Sequence, residues 1–118
     1  MNYLCLVYLD KENWNACSDS SCAAYAQSLL ERGKLLAGQP LHHIDFATTV
    51  RVRNGQVSIV DGPFAETKEM LAGYYLIEAV DLNEAVRIAA EIPPAKFGSV
   101  EIRPVRQLNV TESVLNQT

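Results

Sequence analysis

Clustered positive charge is missing from this sequence. Ten Lys and Arg are scattered among fourteen Asp and Glu, which gives a net charge of −4, with neither a basic stripe nor an acidic tail. Because a protein that binds nucleic acid normally concentrates Lys and Arg on one surface, we expect no DNA or RNA partner. Arg51 and Arg53 share one face of a strand, but two charges do not form a patch.

Long apolar runs and secretion signals are also missing. No apolar stretch approaches the roughly 20 residues that cross a bilayer. The segment 1–9 has neither the basic region nor the cleavage site of a signal peptide. Cysteine is scarce, with an odd number and no zinc-type spacing among Cys5, Cys17 and Cys22. These absences predict a cytoplasmic protein with reduced cysteines, no metal, no cofactor and no membrane partner.

Apolar residues are plentiful, at 48% of the 118 residues, so the chain can fill a core without metal or disulfide bonds. The length corresponds to one domain. We expect that domain to cover 1–106, followed by a polar tail over 107–118 that is either loose or an arm to a partner. A domain of this size leaves about a third of its unfolded-chain surface exposed. Pairing with a second copy would bury more of it, so we expect a homodimer.

Strand and helix patterns alternate along the chain. Short apolar runs predict buried strands, and apolar residues at helical spacing after Ser18 and after Asp81 predict amphipathic helices. The pair Asn54-Gly55 suits a type I′ turn and predicts a hairpin. The short apolar run 35–37 is expected to stop at Gly38 and Pro40. The expected strands are 2–9, the hairpin 48–60, 73–80 and 99–105, and the expected helices are about 20–32, a short one over 65–71, and 82–92.

This order of elements predicts an α+β fold with a ferredoxin-like, βαββαβ-type antiparallel sheet and an added hairpin. Both long helices would lie on one face of the sheet. The other face would then need a cover, and a second subunit laid against it would form a dimeric α+β barrel.

Several motifs in the second half of the chain resemble the YCII-related, or DGPF, family. They are Ala47-Thr-Thr-Val-Arg51, Asp61-Gly-Pro-Phe-Ala-Glu-Thr-Lys-Glu69, Gly73-Tyr-Tyr-Leu-Ile, Asp81-Leu-Asn-Glu-Ala85, Ile92-Pro93 and Gly98-Ser-Val-Glu-Ile-Arg-Pro-Val105. The resemblance implies a dimeric α+β barrel, in a superfamily that includes isomerases, small monooxygenases and stress-responsive dimers. It also implies a histidine–aspartate pair for the YCII branch, but Cys22 occupies the position that resembles the histidine.

Asp61 has two interpretations. It is a candidate general acid or base, because a carboxylate in a dry cleft titrates closer to neutral pH. It is equally an ordinary turn residue before Gly-Pro that bonds its own backbone. Arg51, expected to face Asp61 across the hairpin, either binds a substrate carboxylate or is a solvated surface arginine.

Five further residues are candidates. His42 and His43 titrate near neutral pH and are the preferred general bases if the protein is an enzyme, although adjacent histidines seldom share one site. Tyr75 and Phe64 either line a substrate pocket or belong to the core. Cys22 lies at a helix start, which can activate a thiol, but also on an apolar stripe, where cysteine commonly serves packing.

Two functions remain open. One is a small-molecule enzyme, of isomerase, lyase or cofactor-free oxygenase type, that uses Asp61 or a histidine for acid–base chemistry on a small anionic or aromatic ligand. The other is a non-catalytic dimeric binding or accessory protein. The resemblance supports this second function through the sigma-factor or stress-response setting that it implies.

Overall fold

A four-stranded antiparallel sheet carries two helices on one face in the computed structural model, which describes residues 1–109. The sheet has the strand order β2-β5-β1-β6, and a separate two-stranded hairpin, β3-β4, is inserted between β2 and β5. This is the predicted ferredoxin-like α+β arrangement with an added hairpin. The elements are β1 (Asn2–Asp10), α1 (Asp19–Glu31), β2 (Leu35–Pro40), β3 (Thr48–Arg53), β4 (Gln56–Asp61), β5 (Glu69–Glu78), α2 (Leu82–Glu91) and β6 (Ser99–Pro104).

Both helices begin at side chains that cap them, as the sequence predicts. The Ser18 hydroxyl accepts a hydrogen bond from the Ser21 backbone N–H at 3.2 Å at the start of α1. At α2, Asp81 accepts from the Glu84 N–H at 2.9 Å, and the Glu84 carboxylate accepts from the Val80 N–H at 3.0 Å. These bonds satisfy backbone donors that have no partner within the helix.

The core lies between the sheet and the helices. Alternate residues of β1 are buried on the helix side, namely Tyr3, Cys5, Val7 and Leu9. The first three pack with Leu29 of α1 and Ile88 of α2 in one apolar cluster. Because alternate side chains of a strand point to opposite faces, the other half of β1 lies on the face that carries no helix.

The hairpin contrasts with this core, since every residue of β4 is exposed. Its register pairs Val50 with Ile59 and Val52 with Val57, so four apolar side chains share one face. Asp61 pairs with Thr48, whereas Arg51 pairs with Ser58. Arg51 and Asp61 therefore lie on opposite faces of the hairpin, and the expectation that they face each other is wrong.

Two other expectations about secondary structure are also wrong. The segment predicted as a short helix over 65–71 ends in the first three residues of β5, which pair with β1. The apolar run after Gly33 extends to Pro40 as an edge strand. Proline is tolerated there because an edge strand leaves one row of N–H groups unpaired. Most of the tail predicted over 107–118 lies outside the described residues.

Candidate ligand pocket

A pocket of about 520 Å³ opens between α1 and the helix-side face of the sheet. The loop before α1 contributes Trp14 to its lining, and β1 contributes Val7 and Leu9. Ala23 and Ala26 form the helix wall, and their small side chains leave the space open. The volume lies in the range of about 300–1,000 Å³ that small-molecule sites occupy.

Two glycines shape the sheet wall of the pocket. A Cβ atom on Gly38 would lie 3.0 Å from the Tyr74 carbonyl oxygen, and one on Gly73 would lie 3.1 Å from the Gln39 carbonyl oxygen. Any side chain at either position would push β2 away from β5. Both glycines line the pocket, so the close approach of the two strands also keeps this wall free of side chains.

The polar groups of the lining are few. They are contributed by Asn15, Asp19, Gln39 and Tyr75 and by two thiols, and no Lys or Arg from the described part of the chain joins them. Burial, and after it the nearby Cys22 and Cys17, raises the pKa of Tyr75 to about 12. Tyr75 is thus a neutral hydroxyl at physiological pH, able to donate a hydrogen bond into a mostly apolar space.

The two thiols of the lining, Cys17 and Cys22, are in contact. Their sulfur atoms lie 3.6 Å apart, and either can donate to the other. Burial, followed by the hydrogen bond to Cys17, raises the pKa of the Cys22 thiol to about 11. The activation expected from the helix N-terminus is therefore outweighed by desolvation at this position.

His43 stands beside the pocket rather than in it. Its ring meets Trp14 edge-on, with 5.0 Å between the ring centroids. Its Nδ1 accepts a hydrogen bond from the Asp45 N–H at 3.2 Å and lies 3.3 Å from the Asp45 carboxylate. His42 turns elsewhere and stacks obliquely on Phe46, with centroids 5.2 Å apart. The two histidines thus have separate surroundings.

The remaining predicted site residues lie away from the pocket lining. Asp61 ends the exposed strand β4, Arg51 lies in β3, and Phe64 is 79% exposed. The turn after Asp61 is held by other groups, because the Gly62 N–H donates to the Ala47 carbonyl at 2.7 Å and the Thr49 hydroxyl donates to the Gly62 carbonyl at 2.8 Å. Of the predicted candidates, Tyr75 and Cys22 line the pocket.

The sequence prediction missed Asp19 as a pocket residue and the contact between the two thiols. The sequence signal for the thiol contact is the spacing of Cys17 and Cys22. This spacing places Cys17 just before the N-cap of α1 and Cys22 in the first turn of that helix. Within residues 1–109, no three His, Cys, Asp or Glu side chains are grouped closely enough to hold a metal ion. No helix in that range is long and apolar enough to cross a membrane.

Comparison with known proteins gives a family and a fold. A family profile described as the YCII-related domain matches residues 1–109. An uncharacterized protein of Rhizobium meliloti (strain 1021) is 36% identical over 114 residues, covering 89% of this chain and 92% of that protein.

One solved structure resembles the fold at low sequence identity. It is 5-chloro-2-hydroxyhydroquinone dehydrochlorinase from Burkholderia phenoliruptrix AC1100 in complex with 2,5-dihydroxybenzoquinone. It aligns with a TM-score of 0.55 at 17% identity, over 90% of this chain and 94% of that one.

Proposed function

This chain belongs to the YCII-related family, and on that premise we propose that it binds a small, neutral, aromatic molecule in the pocket beneath α1. The observation that carries the proposal is the lining itself, which encloses about 520 Å³ with apolar side chains, Trp14 and the neutral Tyr75 hydroxyl. A mostly apolar cavity with a few convergent polar groups is the usual form of a small-molecule site.

Charge narrows the class of ligand. Asp19 is the charged side chain of the lining, and the described residues supply no cation to it. An anionic ligand would therefore meet repulsion without a compensating partner. A neutral phenol or quinone fits better, because its ring can stack on Trp14 and its oxygen can accept a hydrogen bond from Tyr75.

Trp14 provides the test, because it is the single tryptophan of the chain and it lines the pocket. Titration with simple substituted phenols that are neutral at pH 7 should change Trp14 fluorescence with saturation, after correction for absorption by the ligand. Ala26→Phe should abolish the response by filling the pocket. Ala24→Phe is the matched control, since Ala24 is exposed on the same helix and does not line the pocket. Equal binding by both variants would contradict the proposal.

We also propose that the protein is a homodimer. The apolar hairpin face of Val50, Val52, Val57 and Ile59 is open, with exposed fractions from 57% to 67%. A two-stranded hairpin alone is marginally stable in water. A second copy would cover this face and the helix-free face of the sheet, and would complete the barrel that the fold class implies.

A second candidate function is acid–base catalysis on the bound molecule. The specific observation is His43, which contacts the pocket residue Trp14 and is oriented by Asp45. To take a proton at Nε2, the ring must carry its hydrogen on Nδ1, where the Asp45 carboxylate, 3.3 Å away, can accept a hydrogen bond from it in place of the contact with the Asp45 N–H. The similar fold of a dehydrochlorinase supports this candidate, because removal of a proton from a hydroxyl group can drive the loss of chloride from a ring.

Chloride release from a chlorinated hydroxyhydroquinone tests the catalytic candidate. His43→Gln should abolish release while ligand-induced quenching of Trp14 persists. His42→Gln and Asp61→Asn serve as controls that should keep turnover, because neither residue lines the pocket or contacts Trp14. Absence of chloride release from the wild type, with binding retained, would leave a non-catalytic binding protein.

A further inference from the structure

We propose that Cys17 and Cys22 form a reversible disulfide in the wall of the pocket, closed by exchange with a low-molecular-weight disulfide. The geometry that points to this is the contact between the two sulfurs, which lie 3.6 Å apart. A disulfide bond is about 2.05 Å long, so the sulfurs must approach by about 1.5 Å. The proposal does not depend on the identity of the ligand.

The surroundings of Cys17 allow such a movement. Cys17 lies in a bend between the loop that carries Trp14 and the N-cap Ser18, outside the hydrogen-bonded helix. Its thiol makes only weak contacts, to the Ser18 carbonyl at 3.8 Å and to Cys22. Cys22 is fixed in the first turn of α1, where its N–H donates to the Ser18 carbonyl at 3.3 Å. Rotation of the Cys17 side chain and a small shift of the bend can close the bond.

The chemistry proceeds by two thiol–disulfide exchanges. Cys17 attacks one sulfur of the small disulfide, which releases one small thiol and leaves a mixed disulfide at Cys17. Cys22 then attacks the Cys17 sulfur and releases the second small thiol, so the two electrons lost by the protein thiols reduce the small disulfide. Cys22 is the second attacker because its pKa, at about 11, leaves little thiolate for the first step.

Closure of this bond would alter the pocket. Both sulfurs line it, next to Tyr75 and Trp14. The bond would tie the loop that bears Trp14 to the first turn of α1, so the shape of the pocket would follow the redox state of the cell. Cys5 provides an internal control, because it is fully buried in the core.

Mixtures of reduced and oxidised glutathione test the proposal on the intact protein. After equilibration, free thiols are blocked with iodoacetamide in denaturant and the peptides are analysed by mass spectrometry. The wild type should show a Cys17–Cys22 disulfide whose amount follows the glutathione ratio, with Cys5 alkylated. Cys22→Ser should trap glutathione on Cys17, and should do so about tenfold faster than Cys17→Ser traps it on Cys22.

Three results would overturn the proposal. They are a wild type without the Cys17–Cys22 bond at any glutathione ratio, a wild type in which glutathione persists on Cys17, and Cys17 cross-links between two chains in place of the internal bond. Trp14 fluorescence provides a second readout in the wild type. The fluorescence should change when the bond forms and return to its starting value when dithiothreitol is added. Fluorescence that is the same before and after oxidation would contradict formation of the bond in the pocket wall.

Discussion

The sheet domain, which consists of β1, β2, β5 and β6 with α1 and α2, buries β-branched side chains, whereas the hairpin leaves the same residue types exposed. Ile77 of β5 is fully buried beneath the helices, whereas Ile59 of β4 is 67% exposed. Both lie on apolar faces of antiparallel strands, so strand pattern alone does not separate them. The difference is the layer above the strand, because α1 and α2 cover β5 and neither is placed over β4. An alternating pattern therefore identifies an apolar face without identifying what covers it.

Because the two regions differ in burial, we expect them to be stabilised in different ways. Burial of apolar surface within one chain stabilises the sheet domain. The hairpin has little of its own to bury, so we expect its stability to come from a partner. Changes in the core should then alter unfolding, and changes on the hairpin should alter association.

The largest effect should come from the core of the sheet domain. Leu29→Ala removes a fully buried side chain and should lower the free energy of unfolding by about 2–5 kcal/mol. Leu30→Ala, the next residue of the same helix, is the control, because Leu30 is 56% exposed and its truncation should change stability by no more than about 0.5 kcal/mol. Urea denaturation measures both, and equal losses would contradict the assignment of the core.

The next effect should come from the hairpin. Ile59→Lys places a charge on the apolar face and should weaken dimerisation by about 2–3 kcal/mol, a shift that sedimentation velocity at several concentrations detects. Ser58→Lys adds the same charge to the opposite face of the same strand and should leave the dimer intact. A monomeric wild type, or dissociation of both variants, would contradict the proposal that the apolar face of the hairpin forms the dimer contact.

The two strand errors in the sequence prediction have one physical cause. Glu69, Met70 and Leu71 have good helix propensity, but pairing with β1 outweighs it. Gly38 and Pro40 resemble a stop in sequence. In the structure Gly38 permits the close approach of β2 to β5, and Pro40 ends an edge strand. Local preference was overruled by contacts between distant segments, which one sequence does not display.

The site was harder to predict than the fold, for a related reason. Periodicity placed β1, α1, the hairpin and α2. The pocket, however, is formed by small or absent side chains, such as Ala26 and Gly73, which carry no chemical signal. Asp61 and the histidines were predicted as site residues because their side chains are chemically reactive. Trp14 and Cys17 lie in a loop, and the position of that loop depends on the folded sheet.

A smaller effect should follow from loss of one hydrogen bond between the helices. The Tyr25 hydroxyl donates to the Ile88 carbonyl at 2.8 Å, so Tyr25→Phe should lower the free energy of unfolding by about 1 kcal/mol at pH 7. Burial, and after it the Glu91 charge, raises the pKa of Tyr25 in the folded state. The wild type should therefore lose this advantage as the pH rises above about 10, where the unfolded tyrosine ionises first.

Denaturation of both proteins between pH 7 and 11 measures that difference. The hairpin 48–61 contains no tyrosine, so Tyr25→Phe should leave the dissociation constant of the dimer unchanged at pH 7. A variant that unfolds like the wild type at pH 7 would show that the hydroxyl contributes nothing to helix docking.

The smallest effect should come from the ion pair between Lys34, which follows α1, and Glu84 in the first turn of α2. The Lys34 ammonium lies 3.0 Å from the Glu84 carboxylate. This hydrogen bond, and then the one from the Val80 N–H, lowers the pKa of Glu84 below its usual value. A lowered folded pKa stabilises the protein above the unfolded pKa of about 4.3, and that contribution is lost as the pH falls through the folded value.

Glu84→Gln should therefore be slightly less stable than the wild type at pH 7, and the gap should close below about pH 4. Glu12→Gln is the control, because Glu12 is exposed and forms no ion pair with the described residues. Parallel urea titrations at pH 7 and pH 3.5 compare the three proteins. The absence of a gap at pH 7 would mean that Glu84 acts through its cap to Val80, which glutamine can also form, rather than through its charge. Because this ion pair belongs to the sheet domain, dimer dissociation at pH 7 should be the same in all three proteins.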